Sequence, residues 1–186
     1  MADIVVTDNV TSVKADIEPE SEQRSMEGCC VVDIASPEYK SERTNVIDGL
    51  GFDWSVVQLG EDSPGADPSG AVAVYELPEI SCDTIEVTVY ALPLFPLNDG
   101  CDTRYGVSVD SEDMITVSYH PVEWSSEWKA NVLRNSTVNK FRFKIDPRKK
   151  THTLKLHAID AGQMIQRVVV DWGGLRDSYV GPSVNL

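Results

Sequence analysis

Along most of the chain, apolar and polar side chains alternate one by one in short runs separated by glycine, proline and acidic residues. A two-residue period is the mark of strands with one covered and one wet face. The clearest run is Asn139 to Asp146, where Phe141, Phe143 and Ile145 oppose Arg142 and Lys144. Thr84 to Leu92 sets Ile85, Val87, Val89 and Ala91 against Glu86 and Thr88, and Ala71 to Leu77 alternates likewise. Further strands are expected at Cys30 to Ile34, Phe52 to Leu59, Arg104 to Asp110, Met114 to His120, Leu154 to Ala158 and Met164 to Asp171. The runs from Arg104 and Met114 predict a hairpin. Asp160-Ala161-Gly162-Gln163 predicts a second one between the last two runs, with Gly162 free to take a positive φ. Three consecutive valines, Val168 to Val170, mark the final run as a central strand, and Trp172-Gly173-Gly174-Leu175 ends it.

Between the runs, Gly60, Gly65 and Gly70 with Pro64 and Pro68 make a polar loop, and Arg148-Lys149-Lys150 reads as a solvated turn. Pro93 and Pro96 take their segment out of any central ladder. A single helix-like stretch spans Glu123 to Arg134. Trp124, Trp128 and Val132 recur there every four residues and Ser125 or Ser126 can cap it, predicting a short helix that lays this face on a sheet. Residues 1–27 are acidic and lack a sustained period, so they are expected to form a flexible leader, with one domain over 28–186. Nine short strands with turn residues between them make an all-β antiparallel sandwich, jelly-roll-like, with one short helical insertion.

Composition narrows the partners. A chain of 186 residues is the size of one domain. It has no apolar stretch long enough to span a bilayer, so no membrane partner is expected. The segment MADIVVTDNV has no basic start, so no secretory signal is expected in the chain as given. Thirty acidic against 16 basic residues leave a net charge of −14, a field that repels phosphate backbones and excludes nucleic acid. The four cysteines lack CxxC spacing, which argues against a zinc or redox site. Vicinal Cys29 and Cys30 point to opposite strand faces, so at most one should be buried, and a Cys82 to Cys101 bridge is left open.

No HExxH, GxSxG, Walker or GxGxxG motif is present, so the chain is not expected to be an enzyme by itself. Glu123 and Glu127 read as a solvated face. His152 and His157, five apart on one strand, fall on opposite faces and cannot share a metal. The aromatics are more informative, since an indole or phenol face stacks on the C–H face of a sugar while nearby polar groups meet its hydroxyls. Candidates for ligand contact are Trp124, Trp128, Trp172 and Tyr105, with Tyr179 beside them. Trp124 and Trp128 are equally compatible with packing on the sheet, and Trp54 is better read as core. Arg104 and Arg176 offer planar forks for a uronic acid carboxylate, or else surface salt bridges.

Taken in order, several segments resemble the C-terminal domain of glycoside hydrolase family 115, the xylan α-glucuronidases. They are Gly28 to Ile34, Trp54, Pro93 to Pro96, Arg104 to Asp110, Trp128, Val132 and Asn135, His152 to Lys155, Val170-Asp171, Gly173 to Leu175 and Ser178 to Pro182. The resemblance covers residues 28 to 182 and implies a carbohydrate-binding-module-like sandwich without catalytic domains. It further implies a role in glucuronoxylan binding, or alternatively a structural or dimerisation role. Related sandwiches hold a structural calcium on a Glu-Ala-Glu run. Ala35-Ser36-Pro37 stands at that place, so no cofactor is expected, and a calcium would have to rely on Asp33, Glu38 and Asp171.

Overall fold

The alternating runs pair into two antiparallel sheets that face each other across one apolar core. This arrangement is described by a computed structural model for residues 28–61, 67–96, 102–176, 178, 181 and 182. In order, the elements are β1 (Cys29–Val32), β2 (Tyr39–Lys40), β3 (Thr44–Asp48), β4 (Ser55–Leu59), β5 (Val72–Leu77), β6 (Thr84–Ala91) and β7 (Arg104–Val109). There follow β8 (Ile115–Ser118), α1 (Ser126–Arg134), β9 (Thr137–Lys144), β10 (His152–Ala158) and β11 (Gln163–Asp171). The larger sheet runs β3-β4-β11-β6-β9 and the smaller β2-β5-β10-β7-β8. One edge of β11 serves β6, while the other takes β4 at Gln163 to Ile165 and β1 at Val168 to Asp171. β11 is thus central, as its valines predict.

The inward residues of the alternating runs meet in the core. Val87, Val89, Phe141, Phe143, Val168 and Val170 come from the larger sheet, and Tyr75, Leu77, Val107, Leu154 and Leu156 from the smaller. Removing such side chains from water stabilises the fold by roughly 25 cal/mol per Å² of apolar surface.

Several expectations need correction. β10 and β11 do not form a hairpin: they belong to different sheets. Their connection is a corner, because Asp160 is tied to β7 while the Gly162 amide (φ 79°) donates to the Leu59 carbonyl of β4. The chain therefore crosses between layers where spacing alone predicts a turn back. β2 and β3 were not foreseen, one being too short to show a period and the other carrying Asn45 and Asp48 among its apolar residues. The expected strand from Phe52 starts only at Ser55, since Phe52 to Trp54 belong to a hairpin tip. Cys29 and Cys30 are both buried, although only Cys30 joins the core cluster.

Helix α1 starts where Ser125 accepts a hydrogen bond from the Trp128 amide at 3.0 Å, and it ends at Asn135 in the left-handed region. Its predicted apolar face is not laid on the sheet. Asn131 is its buried residue, while Val132 and Leu133 are exposed. The acidic stretch 1–27, Cys101 and Tyr179 lie outside the described residues. No helix among the described residues is long and apolar enough to cross a membrane.

Candidate functional site

At the end of the sandwich where β6 runs out into its prolines, helix α1 stands off the sheets and leaves a groove of about 100 Å³. Pro93, Phe95, Tyr119, His120, Trp128 and Val132 are among its lining residues. Just before the helix cap, Trp124 sits at φ 64° with 71% of its surface exposed, its ring 4.9 Å from that of Trp128 and tilted by 43°. Trp128 thus backs Trp124 from the groove side. Across the groove Phe95 meets His120 edge-on at 5.9 Å. The rim is polar: His120 Nδ1 lies 4.0 Å from Asp102, whose carboxylate accepts from the Ser118 hydroxyl at 2.7 Å and the Thr103 amide at 2.8 Å. Those two hydrogen bonds hold the Asp102 carboxyl below its ordinary pKa.

The other candidates are placed elsewhere. Tyr105 is a correction: with no exposed surface, it lies in the core edge-on to Tyr119 and Phe141, and its hydroxyl accepts from Asn139. Burial raises its pKa, and its ring has no face to offer a ligand. Arg104 directs its Nε and one terminal nitrogen to Asp160, at 2.8 and 2.9 Å, and so braces the corner between the sheets. Neither Arg104 nor the exposed Arg176 lines the groove. Trp172 is half-buried against the core, its carbonyl facing the Cys82 thiol at 3.8 Å; Cys82 is a free cysteine. Of the sequence-derived set among the described residues, Trp124 and Trp128 are brought into ring contact.

Sequence reasoning also missed residues. Trp54, expected in the core, is 75% exposed at φ 62°. Beneath it, Asp53 pairs with Arg167, and the Arg167 guanidinium stands 5.0 Å over the Phe52 ring. The available signal was the isolated Phe52-Asp53-Trp54 triplet between two glycines and a valine run. His152, read as an ordinary polar position, is buried. Its Nδ1 lies 2.8 Å from Asp110, which also receives the Thr153 amide and Lys149.

A cleft of about 530 Å³ between the β7–β8 and β9–β10 loops holds Lys144, Arg148 and Lys149 with Asp110, Glu112 and Asp146. Arg148 is paired with Asp146 and Lys149 with Asp110, so its charges largely cancel. The residues do not fit a calcium. Asp171 Oδ1 accepts from the amides of Gly173, Gly174 and Leu175, and Asp33 accepts from the Ala35 amide. Among the described residues, no three His, Cys, Asp or Glu side chains are grouped to hold a metal.

The model of the glycosyl hydrolase family 115 C-terminal domain matches residues 44–184. The chain belongs to this family. β1 and β2 precede the matched segment, yet each pairs into one of the two sheets. Among solved structures, the chain is similar to BtGH115A, a family GH115 4-O-methyl-α-glucuronidase with specificity for decorated arabinogalactans. The identity is 26% and the TM-score 0.65, over 78% of this chain and 18% of that one. The family 115 domain thus spans under a fifth of that protein's length. It also shares its fold with the CBM35 from Cellvibrio japonicus Abf62 (TM-score 0.52, 13% identity, 81% of this chain, 97% of that one). The C-terminal CBM6 of LamC from Zobellia galactanivorans matches with TM-score 0.50 and 13% identity, over 77% of this chain and 98% of that one. No curated protein matches the sequence. The fold and family are those of an accessory domain of a glycoside hydrolase.

Proposed function

We propose that this domain is non-catalytic and gives a family 115 glycoside hydrolase a saccharide-contacting surface, with Trp124 as its platform and Trp128 as the brace behind it. The observation that carries this reading is the pair of rings 4.9 Å apart, one of them largely in water on a left-handed backbone. A groove of about 100 Å³ is below the range of roughly 300–1,000 Å³ usual for enclosing a ligand, so a sugar would lie across Trp124 with the groove at its side. The Asp102 carboxylate and His120, 4.0 Å apart at the rim, would be the polar partners for its hydroxyls. With Arg104 bonded to Asp160 and no arginine lining the groove, a neutral stretch of glycan fits better than the uronic acid itself.

The test is a fluorescence titration with glucuronoxylan and with a decorated arabinogalactan, repeated on W124A. A saturable component of the quenching that W124A removes supports the proposal, and quenching by millimolar sugar that is the same with and without the Trp124 ring counts against it. A structural or dimerisation role is the second reading, favoured by the exposed Val122, Val132 and Leu133 on and beside the helix. Light scattering after size exclusion decides it, since a dimer that W124A or L133E dissociates would assign this surface to self-association.

A further inference from the structure

We propose that the β3–β4 hairpin tip is a second saccharide-binding site, in which Trp54 offers its indole face to a neutral pyranose ring. The proposal adds a site to the one at Trp124 and does not depend on it. None of the groove-lining residues belongs to the hairpin.

The tip is built to be rigid. The Gly49 amide donates to the Trp54 carbonyl at 2.8 Å, and the Ser55 hydroxyl to Asp48 at 3.0 Å, which together close the loop at its neck. From below, Asp53 takes both arms of Arg167 at 2.7 Å, with the two side chains 9% and 4% exposed. Phe52 lies under the same guanidinium and meets Tyr90 edge-on at 6.3 Å. Gly51, at φ 77°, packs so closely that a Cβ there would lie 2.9 Å from Val56 and 3.0 Å from Gln166. Three consecutive residues are thus fixed against the outer side of the larger sheet, and the fourth, Trp54, is turned out.

That outcome is unfavourable twice over. A bulky aromatic residue at φ 62° is strained, and its ring is largely in water. Glycine or asparagine would make the same turn at lower cost. What the indole adds is a flat face on a fixed support, the requirement for stacking on the C–H face of a sugar. Asp48 and Ser55 flank it with an acceptor and a hydroxyl for sugar hydroxyl groups. The carboxylate, on a chain of net charge −14, disfavours an acidic sugar. A protein partner would call for a broader apolar surround, whereas Leu50 is the other exposed large apolar residue on this loop.

The test follows the Trp54 indole N–H resonance of the ¹⁵N-labelled chain during titration with xylohexaose to about 10 mM, a range suited to weak binding. A saturable shift is expected in the unaltered chain and equally in W124A. W54G, followed through the backbone amides of Gly49 and Ser55 at the hairpin neck, should weaken binding there about threefold or more, the size of a lost stacking contact, while the melting temperature holds or rises because glycine suits this backbone. If W54G fails to fold, W54A takes its place. A Trp54 resonance that stays fixed, whatever Trp124 does, overturns the proposal and leaves the Trp124 reading to its own titration. A Trp54 shift that follows protein concentration without sugar marks a self-interface and overturns it as well.

Discussion

Arg167 and Asp53 stand 114 positions apart and meet fork to carboxylate, with both N···O distances at 2.7 Å. The pair exists because β11 carries an irregularity between Ile165 and Arg167, which places Gln166 and Arg167 next to each other in a locally shifted register. Gln166 then reaches the Asn135 carbonyl at the end of α1, and Arg167 reaches the β3–β4 tip. Removing one partner leaves the other charge buried, so R167M or D53N should cost about 3–5 kcal/mol in urea unfolding. The double variant R167M/D53N should recover part of that loss, and equal, additive losses would show that the two side chains do not act as a pair.

W124A and Y105F separate platform from core. W124A removes an exposed ring and should leave stability within about 0.5 kcal/mol while weakening glycan binding about tenfold. Y105F deletes only the hydroxyl that accepts from Asn139. It should cost about 1 kcal/mol of stability and leave the dissociation constant unchanged. Parallel melting curves and titrations on the two variants provide the check.

Acid should weaken the fold in two stages. Burial and the nearby Lys155 lower the His157 pKa from its usual ~6.5, so its contribution is complete above that value and is lost as pH falls through the folded one. At Asp110, burial pushes the carboxyl up. The bonds from His152, the Thr153 amide and Lys149 outweigh it, so the net pKa is lowered. Its contribution is present above ~3.9 and disappears as pH drops through the lower folded value. H157Q should flatten the slope of stability against pH just below 6.5. D110N should shrink the loss below pH 4 without abolishing it, because Asp102 and Asp146 are shifted the same way. Urea midpoints across pH 3 to 7 measure both effects.

The vicinal thiols should be inert in the native state. Burial, with Cys29 alongside, pushes Cys30 up to about 12, and burial followed by the Asp171 charge raises Cys29. A thiol reagent at pH 8 should label neither residue until denaturant is added, as read by mass spectrometry of their shared peptide. Fast native labelling of Cys30 would mean that β1 opens readily.

Alternation made most of this molecule legible. Phe141, Phe143 and Ile145, or Leu154 and Leu156, could hardly face anything but a core, and of the two cap candidates Ser125 and Ser126 it is Ser125 that starts the helix. Failures occurred where a side chain bonds far along the chain. Asp160 looks like a turn residue, and only its bonds to Arg104 make the turn a corner between sheets. Trp54 looks like core because it is large and apolar, and while the isolated triplet after Gly51 hints at a tip, its support by Arg167, 114 positions on from Asp53, has no local sign. Tyr105 qualifies as a ligand candidate by its aromatic ring alone, whereas the strand period places it inward with Val107 and Val109. Of the site itself, the four-residue spacing singled out Trp124 and Trp128, but it is the left-handed Trp124 just before the Ser125 cap, outside the helix, that brings the two rings together.

The pairing of β1 with β11 also sets how the sandwich bears load. Gly28 accepts from the Trp172 and Gly174 amides, and the ladder continues from Cys29–Asp171 inward to Val32–Val168. Tension applied at residues 28 and 174 therefore meets the rungs one at a time, in peeling geometry, rather than all together in shear. The short first strand would come away at low force, while the strands within residues 44–171 keep their pairings, so a polypeptide pulled from both sides has a built-in slack of one strand.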